Sequence, residues 1–241
     1  MTGGATTDAE QARVRARLAL ALDLPDLAEA LALARRLRPW FGVAKVGLEL
    51  YVAEGPRAVA AMRDLEFDVF ADLKLHDIPT TVARAARAAG RLGVRYLNAH
   101  AAGGFDMLTG FSQGFLEGAA AAGTPDPVPI AVTVLTSDPD VTAFGDRLDV
   151  AVDAGCRGVV CSALEVPRVK ERAPEFFTVV PGTRPAGTSL DDQARSTTPG
   201  EAAAVGADLI VLGRPVTRAA DPEEAAAAVF AEVSEAALRP G

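Results

Sequence analysis

Apolar and polar positions along the chain alternate between two rhythms. Short runs rich in aliphatic and β-branched residues fall at 17–23, 42–47, 67–74, 94–100, 129–135, 157–162, 176–181 and 208–213. Each reads as a strand whose side chains point to alternate faces. Between them lie alanine-rich stretches such as DLAEALALARRL, TTVARAARAAGRL and PEEAAAAVFAEV, whose apolar residues recur three and four apart, as on one face of a helix. Asp26, Thr80 or Thr81, and Asp221 before Pro222 suit helix starts. Strands that each precede a helix must return to the same end of the sheet, so they pair in parallel. Eight such units between residues 17 and 241 predict a closed (β/α)8 TIM barrel of α/β class, in a single domain. An open dinucleotide-binding sheet is disfavoured, because no G-x-G-x-x-G follows the first strand. Residues 1–16 are small and polar and predict a flexible leader. The segment 182–198 is the one long irregular stretch, and loops of that length in compact domains usually serve function.

Charge narrows the partners. There are 24 basic and 32 acidic residues, a formal net charge of −8, which argues against broad nucleic-acid or anionic-membrane binding. It leaves room for one local cationic pocket. No apolar run is long enough for a membrane span, and Asp23, Pro25 and Asp26 interrupt the apolar stretch that a signal peptide would need, so the chain reads as cytoplasmic. Cys156 and Cys161 lack metal spacing and read as packing residues.

Unusual polar residues cluster where such a barrel keeps its chemistry, at the carboxyl ends of strands. Asp23, Lys45, Asp72 with Lys74, Asn98 with His100, Thr133 with Thr136, and Ser162 all fall there. Arginine carries most of the positive charge; the only lysines are Lys45, Lys74 and Lys170. Lys170 sits in a charged helical stretch and reads as a solvated surface residue. Lys45 and Lys74 lie inside apolar strand patterns, where an ammonium is costly unless paired. Asp72 and Lys74 share a strand face, Lys45 reaches the same mouth from the neighbouring strand, and Asp77 follows in the loop. The four alternate in sign. They fit either an ion-pair plug or a catalytic network, and stability alone gives little reason to bury four charges. His76 and His100, the only histidines, read as structural hydrogen-bonding groups at strand ends.

A phosphate commonly binds between the loops after the seventh and eighth strands of a barrel, at a helix N-terminus. Gly213, Arg214 and Pro215 follow the eighth strand here, offering close backbone approach, a forked donor and a first helical turn. The preceding loop supplies Arg184, Gln193 and Arg195.

These residues carry a resemblance. DLKLHDIPTTV at 72–82 resembles the signature of the orotidine 5′-phosphate decarboxylase family. KVGLEL, NAHAAGG, AVTVLTS, VVCSALE, PGTRPAG, DDQAR and GRPVT resemble its other blocks, in family order from about residue 17 to 220. The resemblance implies decarboxylation of orotidine 5′-monophosphate to uridine 5′-monophosphate, the last step of de novo pyrimidine synthesis, with neither metal nor organic cofactor. It implies Lys45, Asp72, Lys74 and Asp77 as the charged network, with Lys74 delivering the proton. Asp23 and Lys45 would hold ribose hydroxyls, and Thr136 the pyrimidine. Gln193, Gly213 and Arg214 would hold the phosphate, with Arg184 nearby. It further implies a homodimer in which Asp77, Ile78 and Thr81 complete the partner's site. Leu75 and Thr80 depart from the commoner Phe and Asn at those positions. Magnesium-dependent sugar-phosphate decarboxylases of the same suprafamily are the alternative. They carry Glu where Lys45 stands, because a metal needs carboxylate oxygens.

Overall fold

The computed structural model describes residues 7–135, 138, 140–184 and 197–237. Its strands are β1 (Leu18–Ala21), β2 (Val43–Gly47), β3 (Asp68–Leu75), β4 (Tyr96–His100), β5 (Val128–Val132), β6 (Gly158–Val160), β7 (Phe177–Val180) and β8 (Leu209–Leu212). Each pairs in parallel with the next, and β8 pairs with β1, closing the barrel. Every strand falls within its expected run or one residue outside it, shortened where the ladder ends. None of the described helices is long and apolar enough to cross a membrane.

Two cores follow from the period-two alternation. Ala19, Val43, Phe70, Tyr96, Ile130, Val160, Val179 and Leu209 fill the barrel interior. Their neighbours Leu18, Leu20, Ala44, Val69, Leu97, Ala131, Val159 and Ile210 face outward into the layer against the helices. Tyr96 stacks on Phe177 and meets Phe70 edge-on, plugging the interior below the carboxyl-end mouth.

Two expectations need correction. Residues 8–16, assigned above to a flexible leader, form a helix (Asp8–Ala16). Thr7 and Glu10 build a reciprocal capping box at its start, Val14 is buried, and Arg15 O accepts the Gly42 N–H, tying the helix end to the barrel. Lys170, expected in solvent, is partly buried: Nζ lies 2.8 Å from both Phe176 O and Asp208 Oδ2. Asp208 also accepts from the Thr178 N–H and hydroxyl, so the lysine joins a network near the amino ends of β7 and β8. Cys156 and Cys161 are buried as expected; burial pushes the Cys156 thiol up to about 12 and Cys161 higher still.

The helices Pro79–Arg91 and Gly104–Ala121 flank β4 and pack on one another through glycines. A Cβ on Gly114 would sit 2.2 Å from Ala83 O, and one on Gly118 2.2 Å from Arg87 O. Helix propensity alone would favour Gly114→Ala by about 1 kcal/mol. The obstacle is backbone, which no rotamer change relieves, and overpacking of this kind costs about 1–3 kcal/mol. Gly114→Ala is therefore expected to lower stability in a denaturant titration despite the better helix former; a more stable variant would contradict this packing.

Candidate active site

Alternation also decides which polar side chains enter the mouth. On β2, Lys45 follows Val43 on the inward face; on β3, Asp72 follows Phe70; on β4, Asn98 follows Tyr96. In each strand the inner apolar residue belongs to the plug and the next inward position is polar. Asp23 stands two residues beyond Ala21, on the same face of the chain leaving β1.

Asp72 is the hub. Its Oδ2 lies 3.2 Å from Lys45 Nζ, and its Oδ1 accepts from Lys74 Nζ at 2.6 Å and from Asn98 Nδ2 at 2.7 Å. Lys45 also donates to Asp23 Oδ1 at 2.9 Å, and it is 7% exposed, so both its carboxylate partners are needed to offset desolvation. Gly47 makes room for that pair: a Cβ there would stand 2.1 Å from Asp23 Oδ1. Sequence reasoning passed over Gly47, although a glycine two residues after a buried lysine, on the same strand face, is a readable sign of a close approach.

The electrostatics follow from this packing. Burial alone would raise the Asp72 carboxyl, but Lys45 and Lys74, with hydrogen bonds from Lys74 and Asn98, outweigh it and hold it below the ordinary carboxylate range. Burial would likewise lower Lys45, yet Asp72 and Asp23 keep its ammonium above its usual value. His100 is pushed down by burial, then by His76, Lys74 and Arg147. The two histidines, expected as strand-end hydrogen-bonding groups, stand side by side with ring centroids 5.6 Å apart.

Two cavities meet over this cluster. One of about 250 Å³ runs from Asp23, Lys45 and Asp72 to Arg184, Gly213 and Arg214. The other, about 140 Å³, reaches Lys74 and is otherwise lined mainly by Phe70, Val132, Leu135, Val160, Val179 and Val211. Lys45, Asp72, Pro181 and Val211 border both, so one charged floor connects an apolar slot to an arginine-bearing end. A larger cavity, about 400 Å³, is lined by Asp68 and Arg95 at the amino ends of β3 and β4, the end of such barrels associated with stability and not with chemistry.

Of the expected site residues, Asp23, Lys45, Asp72 and Lys74 are brought together, and Arg184, Gly213 and Arg214 line the connected cavity. Asp77, Ile78 and Thr81 are exposed. Asp77 Oδ1 accepts the Ile78 N–H at 2.7 Å, and within the chain Lys45 and Lys74 form their ion pairs with Asp23 and Asp72 and not with Asp77. Thr136, Gln193 and Arg195 lie outside the described residues. Asn98, noted in the sequence only as a polar strand end, emerges as a direct partner of Asp72.

A family model described as the orotidine 5′-phosphate decarboxylase / HUMPS family matches residues 16–229. An orotidine 5′-phosphate decarboxylase of Moorella thermoacetica is 47% identical over 231 residues, covering 90% of this chain and 92% of the relative. One of Thermobifida fusca is 45% identical over 240 residues, covering 93% and 99%. Among solved structures, orotidine 5′-phosphate decarboxylase from Lactobacillus acidophilus superposes with a TM-score of 0.74 at 33% identity, covering 90% of this chain and 98% of that one. Barrel, charged floor and sequence likeness extend over the same residues, and the chain belongs to the orotidine 5′-phosphate decarboxylase / HUMPS family.

Proposed function

We propose that this chain decarboxylates orotidine 5′-monophosphate to uridine 5′-monophosphate, with Lys74 protonating C6 from within the Lys45–Asp72–Lys74 cluster. The observation that carries this reading is one carboxylate held between two ammoniums at the floor of a cavity that ends in Gly213 and Arg214. The relatives named for this reaction point the same way.

The bond between C6 and the carboxylate breaks, CO2 leaves, and the electron pair stays on C6 in the ring plane, outside the π-system. That charge needs a fixed positive partner and then a proton. Lys74 supplies both: its ammonium stands at the apolar slot, and an N–H proton passes to C6, leaving an amine that solvent reprotonates. Apolar walls keep water out and strengthen every charge interaction at the slot. Asp72 holds Lys74 in place. Asp23 and Lys45 suit ribose hydroxyls, Thr136 the pyrimidine, and Arg184, Gln193, Gly213 and Arg214 the phosphate. A Cβ on Gly213 would meet nothing closer than Ala21 Cβ at 3.6 Å, so the space beside this backbone is open, and glycine leaves it clear for an approaching anion. Grip on the remote phosphate provides binding energy for ordering the reacting end.

The working unit in this reading is a homodimer. Leu48, Val52, Ile78 and Phe105 are each more than half exposed, and they lie in the segments following β2, β3 and β4, neighbours around the barrel. Asp77 lies beside Ile78 within that apolar rim. A second copy covering the rim would place Asp77 and Thr81 at its own neighbour's mouth.

The sugar-phosphate reading is disfavoured by Lys45, an ammonium that cannot serve as a metal ligand where those enzymes carry a carboxylate. Adding the protein to orotidine 5′-monophosphate in the presence of a chelator is expected to remove the substrate's absorbance at the same rate as without it. Activity abolished by chelator and restored by magnesium would overturn the assignment.

A further inference from the structure

The ladder between β3 and β4 breaks just where the chemistry is. Ala71 pairs with Leu97, but the next pair is Leu75 with Ala99: β3 advances four residues while β4 advances two. The surplus chain is taken up around Lys74, whose φ of 49° lies in the left-handed region that a side chain rarely adopts. A strained residue in a broken ladder persists only if something else holds it.

Asn98 supplies that hold. It is fully buried, lies between the two register pairs, and uses both ends of its amide on the same strand. Oδ1 accepts the Lys74 backbone N–H at 2.8 Å, and Nδ2 donates to Asp72 Oδ1 at 2.7 Å, the oxygen that also receives the Lys74 ammonium. A single planar group thus joins the Lys74 backbone to the carboxylate that aims the Lys74 side chain. We propose that Asn98 is a positioning residue for the reaction, holding the strained Lys74 backbone and the Asp72 carboxylate in register so that the ammonium meets the reacting carbon; this rests on the decarboxylase reading above.

The role differs from that of an ordinary satisfied core amide, which would affect stability and leave the chemical step alone. Displacement of a catalytic group by about 1 Å can cost roughly 100-fold in rate. Asn98→Ala is therefore expected to lower kcat about 100-fold while KM, and the affinity for uridine 5′-monophosphate, stay within about threefold. Asn98→Asp keeps the acceptor for the Lys74 N–H but sets a carboxylate against Asp72 Oδ1. The groups facing that carboxylate are Lys74 at Oδ1 and Lys45 at Oδ2, with Asp23 behind Lys45 and His100 two residues along β4. Two adjoining carboxylates cannot both ionise as readily as one, so the acid limb of the kcat/KM profile should move up by about one pH unit or more.

The experiment measures kcat, KM, product affinity and melting temperature for wild type and both variants, with pH profiles for wild type and Asn98→Asp. A folded Asn98→Ala variant with kcat within about threefold of wild type, or an Asn98→Asp profile that superimposes on wild type, overturns the proposal. If Asn98→Ala does not fold, the nearly isosteric Asn98→Asp profile decides alone. Wild-type protein inactive on orotidine 5′-monophosphate would defeat the decarboxylase reading itself, an outcome separate from either result on Asn98.

Discussion

Lys74→Ala is expected to lose turnover by roughly five orders of magnitude, because the one ammonium serves as both proton source and charge partner, and each role alone is worth about 10²–10⁴-fold. Product affinity should change little, since Arg214, Gly213 and Asp23 at the other end of the cavity are untouched. The pairing of a large kcat loss with near-normal uridine 5′-monophosphate binding separates this role from a structural one. Near-normal activity would remove Lys74 from the chemistry. Stability offers an independent control. The Asp72 carboxyl is held below its ordinary value in the folded chain, so its ion-paired form adds stability above the unfolded carboxylate range, and that stability is lost as pH falls through the depressed folded value. Lys74→Ala removes one of the groups that depress it. Its stability should fall below wild type at neutral pH, and the gap should narrow in acid, as followed by denaturant titrations at several pH values.

The barrel was legible because its two periods are strong. Runs such as 129–135 and 208–213 are mostly aliphatic, and the alanine-rich helices between such runs leave no other connection. The same alternation foretold that Lys45 and Asp72 would share the mouth, since each lies two residues beyond an apolar inward position. Features that depend on distant partners were not legible. Lys170 sits among charges on its own helix, but its partner Asp208 is 38 residues away and pairs with it only after β7 and β8 lie side by side. The helix Asp8–Ala16 buries only Val14, so it shows almost no apolar face; that one side chain in the core and a backbone bond to Gly42 tie it to the barrel. Asn98 was visible as a polar strand end, while its meaning comes from a register break between two strands and a positive φ, neither of which leaves a mark in local composition.

Asp77 poses the remaining question of the charged set, because within one chain it stands outside the cluster that Lys45, Asp72 and Lys74 form. If Asp77 serves the neighbouring subunit, Asp77→Ala and Lys74→Ala should each be nearly inactive alone and should rescue one another when mixed. A mixed dimer has one site lacking both residues and one lacking neither. Free exchange at equal concentrations makes half the dimers mixed, so activity should return to about a quarter of wild type. The recovery should appear at the rate of subunit exchange and depend on protein concentration. Recovery is large against a background of two nearly dead parents, which makes the experiment decisive in either direction. If Asp77 instead served its own chain, every site in the mixture would lack one residue or the other. No activity would then return, even with exchange demonstrated by differently labelled subunits, and the shared-site reading would fail while the assignment of Lys74 stood.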